Sequence, residues 1–443
     1  MIHNVVIYNL KRLTASDTRK RLLENFLSLS VLQLANYILP FITLPYLVRV
    51  LGPEKYGLIA FAQAFIGYFQ ILTDYGFNLS ATREISINRE NKDKVSEIFS
   101  SVMIIKIFLF IFSLLIMSFI VFFFDKFRED RLIYYLTFGM VVGQTLFPVW
   151  FFQGMEKMKY ITFLNFVAKT IFTISIFVFV RKISDYLYVP LLNSLGFVFA
   201  GVLSLIIIFR DFDIKFKIPS FESIKYHLKE GWYIFVSTVA ASSYTMGIPF
   251  LTGLLTDNVI VGYYVAGEKI IRALEGLLVP LSQTLYPYIS KKTQESKMLA
   301  LRFIKKYVNV LGVFTFIFSL TIVFFAPQLC NFILGNQFIK SIIVVRILAF
   351  LLFVKGVGHI FLLQTMLNFG HSKEVFKIVL ISALISIFSG LILIPLFLHR
   401  GSAISALLPE VYMLISSALF VERRYHIFRG FLIKIKIRGT KNV

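Results

Sequence analysis

A chain of 443 residues that is 57% hydrophobic and only 16% charged, with a mean hydropathy of +0.78, lies outside the range of soluble globular domains. Its single cysteine, Cys330, excludes an internal disulfide and any multi-cysteine metal site. A formal net charge of +22 would suggest nucleic acid in a soluble protein, but here the basic residues collect in loops on one side of long apolar runs, which points to membrane topology instead.

In chain order, membrane-crossing helices are expected at 26–48, 56–74, 98–124, 132–153, 160–180, 187–209, 231–254, 259–285, 307–327, 341–368, 376–398 and 402–421. Each run can cross a hydrocarbon core of roughly 30 Å, and the period-two alternation of a membrane barrel is largely missing. The first 25 residues lack a short apolar core ending in a small-residue cleavage site, so the first run is expected to be a retained helix. Roughly three in four of the Lys and Arg outside the spans fall on the side of the N-terminus, from Lys11 and Arg12 to the tail Arg423 to Lys441, which places both termini in the cytoplasm. Attraction to anionic headgroups accounts for this basic excess without nucleic acid.

The corner "YLVRVLGPEKYGLIAFAQAF" at 46–65 is expected to turn the chain at the outer surface. Gly52 and Pro53 permit the reversal, with Arg49 and Lys55 at the interface. Gln33, Asn36, Pro40 and Thr43 share a face of the first span, and Gln63, Gly67, Gln70 and Asp74 a face of the second. In the fifth, Thr162, Asn165, Lys169 and Thr173 form a stripe whose lysine has no carboxylate nearby on the same helix, so it calls for an external anion or a partner on another helix. The segment from Arg210 to Trp232 divides the spans six and six. Its Phe221, Ile224 and Leu228, beside Lys225 and Lys229, make a basic amphipathic surface helix. The expected organisation is an N-terminal six-helix bundle at 1–209, a cytoplasmic amphipathic linker at 210–230, and a C-terminal bundle with a basic tail at 231–443. Weak self-similarity of "KYGLIAFAQAF" at 55–65 with "IVGYYVAGEKI" at 260–270 suggests parallel halves.

Charges in a bilayer core cost roughly 2.5 to 3.5 kcal/mol each, so they face protein or water. The basic ones inside spans are Lys106, Lys169, Lys269, Arg272, Arg346 and Lys355. Glu268, Arg272 and Glu275 sit at i, i+4 and i+7 with Lys269 beside them. That face is either a self-neutralised ladder or the wall of a cavity handling an anionic headgroup. Thr238, Ser242, Thr245 and Pro249 add a milder stripe to the seventh span. Lys355 and His359 lie one turn apart in the tenth, whereas Arg346 points the opposite way and is close enough to the outer surface to snorkel. Glu268, Glu275 and Asp74 are candidate ion-coupling groups. No phosphate-binding glycine loop, zinc spacing or paired aspartates of a metal-dependent sugar transferase occurs, so no catalytic residue, cofactor or metal is expected and the chain reads as a transporter.

With "LPYLVRVLGPEKYGLIAFAQAF" followed by "TDYGFNLSATREIS" and a basic loop, the sequence resembles the bacterial polysaccharide-export flippases of O-antigen (Wzx) type, in the multidrug, oligosaccharidyl-lipid and polysaccharide exporter superfamily. The resemblance implies an all-α membrane protein of twelve transmembrane helices in two parallel six-helix bundles around a central cavity. It also implies an undecaprenyl-pyrophosphate-linked oligosaccharide moved from the inner to the outer leaflet of the cytoplasmic membrane, with membrane lipids, a polysaccharide polymerase and a chain-length regulator as partners. Arg49, Asp74, Arg83 and Glu84 carry over as motif residues. Lys169, Lys269, Arg272 and Lys355 would then meet pyrophosphate, Arg49 and Arg83 would be either headgroup contacts or plain interfacial anchors, and Asn165, Gln33, Asn36, Gln63 and Gln70 would line the cavity for the sugars. The competing readings are an ion-coupled multidrug exporter of the same fold, disfavoured by the excess of basic groups in the spans, and a membrane polysaccharide polymerase.

Overall fold

The computed structural model describes residues 17–276, 285 and 289–426, with side chains from residue 39 onward except 241 and 243–245. The regular structure of the described residues is all helical, in line with the all-α membrane fold expected. They form α1 (Asp17–Asp74), α2 (Phe77–Ile87), α3 (Lys92–Phe123), α4 (Arg131–Leu146), α5 (Val149–Gly154), α6 (Met158–Phe179), α7 (Tyr188–Asp211) and α8 (Phe221–Thr245). There follow α9 (Gly247–Leu255), α10 (Asn258–Gly276), α11 (Lys297–Ile333), α12 (Ser341–Leu348), α13 (Phe350–His359), a π-helical stretch (Ile360–Leu367), α14 (Ser372–Phe397) and α15 (His399–Tyr425).

Among the described residues nine segments are long and apolar enough to cross a membrane. The differences from the twelve expected spans have local causes. The first two, taken together as α1, are two helices that meet without a break at a kink on Gly52, whose φ of 69° and ψ of 176° are non-helical and lie where a side chain is rarely tolerated. The seventh is interrupted at Met246 between α8 and α9, and the eighth, α10, carries Glu268, Lys269, Arg272 and Glu275 within 19 residues. Apolar side chains face outward and polar ones inward, as a bilayer demands: on α3, Phe108, Ile111, Leu115, Phe119 and Phe122 are exposed at helical spacing, while Ser96, Ser100, Lys106 and Ser113 are buried.

The chain divides into two compact units. One holds the described residues up to Tyr46 together with Ala62–Val239; the other holds Leu47–Phe61 and the described residues from Ala240 on. In the first, α4 packs along α7 and α6 along α7, around buried Phe99, Trp150, Phe151 and Phe152. Phe99 and Trp150 have ring centroids 5.8 Å apart. The amphipathic start of α8 belongs to this unit. Ile224 and Leu228 pack on its core, Phe221 remains exposed, and Tyr226 donates a 3.0 Å hydrogen bond to Glu84 of the motif on α2.

In the second unit, α14 packs along α15 and α11 along α13, around Ile304, Val308, Val357, Phe361 and Met413. The two echoing segments meet here at their matched glycines. A Cβ on Gly57 would lie 1.8 Å from the carbonyl oxygen of Asn258, and one on Gly262 would lie 2.1 Å from that of Pro53. The helices thus touch backbone to backbone, as small residues allow in membranes. Gly57→Val is expected to cost about 3 kcal/mol or more by overpacking, read as a lower melting temperature of the detergent-solubilised protein. Unchanged melting would show that the contact is dispensable.

Candidate functional site

Three polar clusters lie within the two units. The first is in unit two and is organised by α10, which places Tyr264, Glu268, Arg272 and Glu275 along one face at successive turns. The Tyr264 hydroxyl (3.3 Å) and the Arg272 guanidinium (2.8 Å) both donate to Glu268 Oε1. Lys355 on α13 donates to Glu275 Oε2 at 3.1 Å and lies 3.6 Å from Glu410 on α15. A small cavity of about 30 Å³, room for one or two waters, opens among these groups and is completed by Ile271, Leu348, Leu351 and Ala406. Three carboxylates thus meet two bases. Glu410 is 4% exposed and Oε1 of Glu275 is buried without a hydrogen-bond partner among the described residues, whereas Arg272 keeps 45% of its side chain accessible.

The ladder on α10 and the lysine on α13, read apart in the sequence, are one network, and Glu410 belongs to it. Lys269 does not: its ammonium lies over the ring of Tyr56, 5.2 Å from the centroid. Arg346 is exposed and stays out of the network. The helix carrying Lys355 passes into the π-helical turn after His359, where the side-chain hydroxyl of Thr365 donates to the carbonyl of Ile360. Such turns interrupt regular bonding and are frequent at functional sites.

The second cluster is in unit one. Asn165 and Lys169 of α6 and Asn193 of α7 line a niche of about 20 Å³ with Ala168, Phe172, Gly196, Phe197 and Ala200. Its lining offers two amides and an ammonium and, among the described residues, no carboxylate. Asn165 is oriented by donating to the carbonyl of Ile161 at 2.9 Å.

The third cluster surrounds Lys106, which is 1% exposed, and joins α1, α2, α3 and α4. Its ammonium donates to the carbonyl of Gln144 at 3.3 Å and lies 3.9 Å from Asp74 Oδ1. Asn78 donates to Asp74 Oδ2 at 2.8 Å, and the Gln144 side-chain amide reaches the Gln70 carbonyl at 3.4 Å. Asp74 and Gln70 were expected on one face; Asp74 shares a polar core with Lys106 and Gln144, which Gln70 meets through its backbone carbonyl. Gln63 is half-buried farther along α1. The side chains of Gln33 and Asn36 lie outside the described residues.

Within their own units, Arg49 and Arg83 have partners other than the members of these clusters. Arg49 donates to the carbonyl of Phe332 near the end of α11, so it fastens the corner at Gly52. Arg83 is 71% exposed and only 4.0 Å from Glu230, a surface pairing of small energetic weight.

A polytopic all-α membrane protein with ionisable clusters buried inside helical units, and no sizeable extramembrane domain among the described residues, has the architecture of a membrane transporter. The model of the family described as polysaccharide biosynthesis protein matches residues 22–293, and the chain belongs to that family. It is 32% identical over 398 residues to a putative O-antigen transporter of Escherichia coli (strain K12), covering 90% of this chain and 96% of that protein. A putative O-antigen transporter of Shigella dysenteriae is 26% identical, covering 88% and 98%. The fold is shared with the lipid II flippase MurJ in an inward closed conformation (TM-score 0.71, 12% identity, 89% and 87% covered). It is also shared with an inward-facing multidrug resistance MATE family transporter of the MOP superfamily (TM-score 0.67, 15% identity, 88% and 96% covered).

Proposed function

We propose that this protein is a flippase that carries an undecaprenyl-pyrophosphate-linked oligosaccharide, an O-antigen, capsule or similar repeat unit, from the inner to the outer leaflet of the bacterial cytoplasmic membrane. Near full-length similarity to proteins named O-antigen transporters supports the cargo class. It also supports transport over polymerisation or any other catalysis. The asymmetric distribution of Lys and Arg supports cytoplasmic termini. A polysaccharide polymerase and a chain-length regulator are the partners such a pathway requires.

The observation within the fold that carries this reading is the contrast between two clusters. A pyrophosphate is recognised by positive charge and hydrogen-bond donors. The Lys169 niche, with Asn165 and Asn193, offers an ammonium and two amides, and the residues that line it include no carboxylate. Arg272 and Lys355 are already faced by Glu268, Glu275 and Glu410, so an anion entering there would meet a cluster that is net negative when every group is ionised. We therefore assign the headgroup to Lys169 and ion coupling to the Glu268, Glu275 and Glu410 network, whose charge one added proton would neutralise. The experiment that tests the function is the leaflet distribution of glycan-loaded carrier. In cells lacking the protein it is expected to pile up on the cytoplasmic leaflet.

A further inference from the structure

The position of Lys106 is overdetermined for a positive charge. Asp74 is the last residue of α1, and Gln144 stands in the last turn of α4, so two helix C-termini, each the negative end of its helix, come together with a carboxylate. The carbonyl of Gln144 would ordinarily accept the N–H of residue 148, but residue 148 is Pro148, which has none. What remains to it from the backbone is a 3.3 Å contact from the Phe147 N–H at the end of the helix. A freed carbonyl at a broken membrane helix, opposite a carboxylate already oriented by Asn78, is the donor set with which such proteins hold a small cation. Here the ammonium of Lys106 occupies that position.

We propose that the Asp74, Gln144 and Asn78 cluster is a monovalent-cation site whose cation is supplied by the protein itself, as the tethered ammonium of Lys106. One carboxylate sets the valence: a monovalent ion neutralises it, whereas a divalent ion would leave a net charge in the interior, at high cost. With Lys106 in place the unit is assembled without any external ion at this position. With the ammonium removed, the same oxygens become an open site for sodium or potassium. This inference is independent of the cargo and of the coupling network in the other unit.

The test is thermal melting of the purified full chain in sodium, potassium and choline chloride at matched ionic strength. Wild type is expected to melt alike in all three. Lys106→Ala is expected to melt lower in choline and to regain several degrees in sodium or potassium, saturably, because a ligand bound only by the folded state stabilises it by mass action. Adding Asp74→Asn is expected to abolish that response. Lys106→Ser carries the same test if the alanine variant does not survive extraction, and melting in native membrane vesicles serves if neither does. A Lys106 variant that melts alike in all three salts would overturn the proposal and leave Lys106 as an internal ion-pair partner only.

Discussion

Replacing Lys169 by alanine is expected to lower glycan export about ten- to a hundredfold while the protein still inserts into the membrane. A hydrogen bond to a charged group contributes about 1.5 to 3 kcal/mol, and each 1.4 kcal/mol is about tenfold. Ala168, Phe172, Gly196, Phe197 and Ala200 line the niche beside Lys169 and are untouched by its truncation. Lys169→Arg keeps the charge and should retain a substantial part of the activity, which separates a headgroup contact from a packing role. The measurement is surface glycan per unit of membrane-inserted protein. Normal export by Lys169→Ala would remove the niche from the transport path.

The second large effect is expected at Lys355. Its ammonium is shared by Glu275 and Glu410, and Glu410 is almost wholly buried. Lys355→Ala leaves two carboxylates facing each other without their base, and breaking a buried pair from one side costs about 3 to 5 kcal/mol. The variant should therefore melt well below wild type. Lys355→Ala combined with Glu410→Gln should recover much of the lost stability, because the uncompensated charge is removed, but should not recover transport. A double variant as unstable as the single one would show that Glu410 does not sense Lys355. This cycle is informative because residues in one charge network depart from additivity.

How much of this was legible in the sequence depends on whether the information was local. The ladder Glu268, Arg272 and Glu275 follows from the helical repeat alone, and the structure keeps it on one face of α10. The corner at Gly52 was equally local, since a glycine followed by proline specifies a bend whatever the surroundings. The joining of Lys355 and Glu410 to the α10 ladder depends on how α10, α13 and α15 pack, and no spacing within one helix encodes that. The signal available for Glu410 was a carboxylate beside Pro409 in an otherwise apolar run.

Lys106 and Asp74 were both visible as intramembrane charges of opposite sign. Their pairing across α1 and α3, and the role of Pro148 in freeing the Gln144 carbonyl, needed the fold. Asn193 gave no signal alone, since a single asparagine in a membrane helix is ordinary packing polarity. Arg49 could be read from the sequence as a headgroup contact or as an interfacial anchor, and its hydrogen bond to the Phe332 carbonyl, 283 residues away in the chain, needed the fold.

The central claim, movement of a lipid-linked glycan between leaflets, is tested most directly by the sidedness of glycan-loaded carrier in sealed membranes. Vesicles of defined orientation from cells lacking the protein would be compared with vesicles from cells carrying it, using a membrane-impermeant sugar-modifying probe. The account predicts carrier confined to the cytoplasmic leaflet without the protein, and carrier reaching the outer leaflet when the wild-type chain is restored. The same sidedness with and without the protein would contradict it.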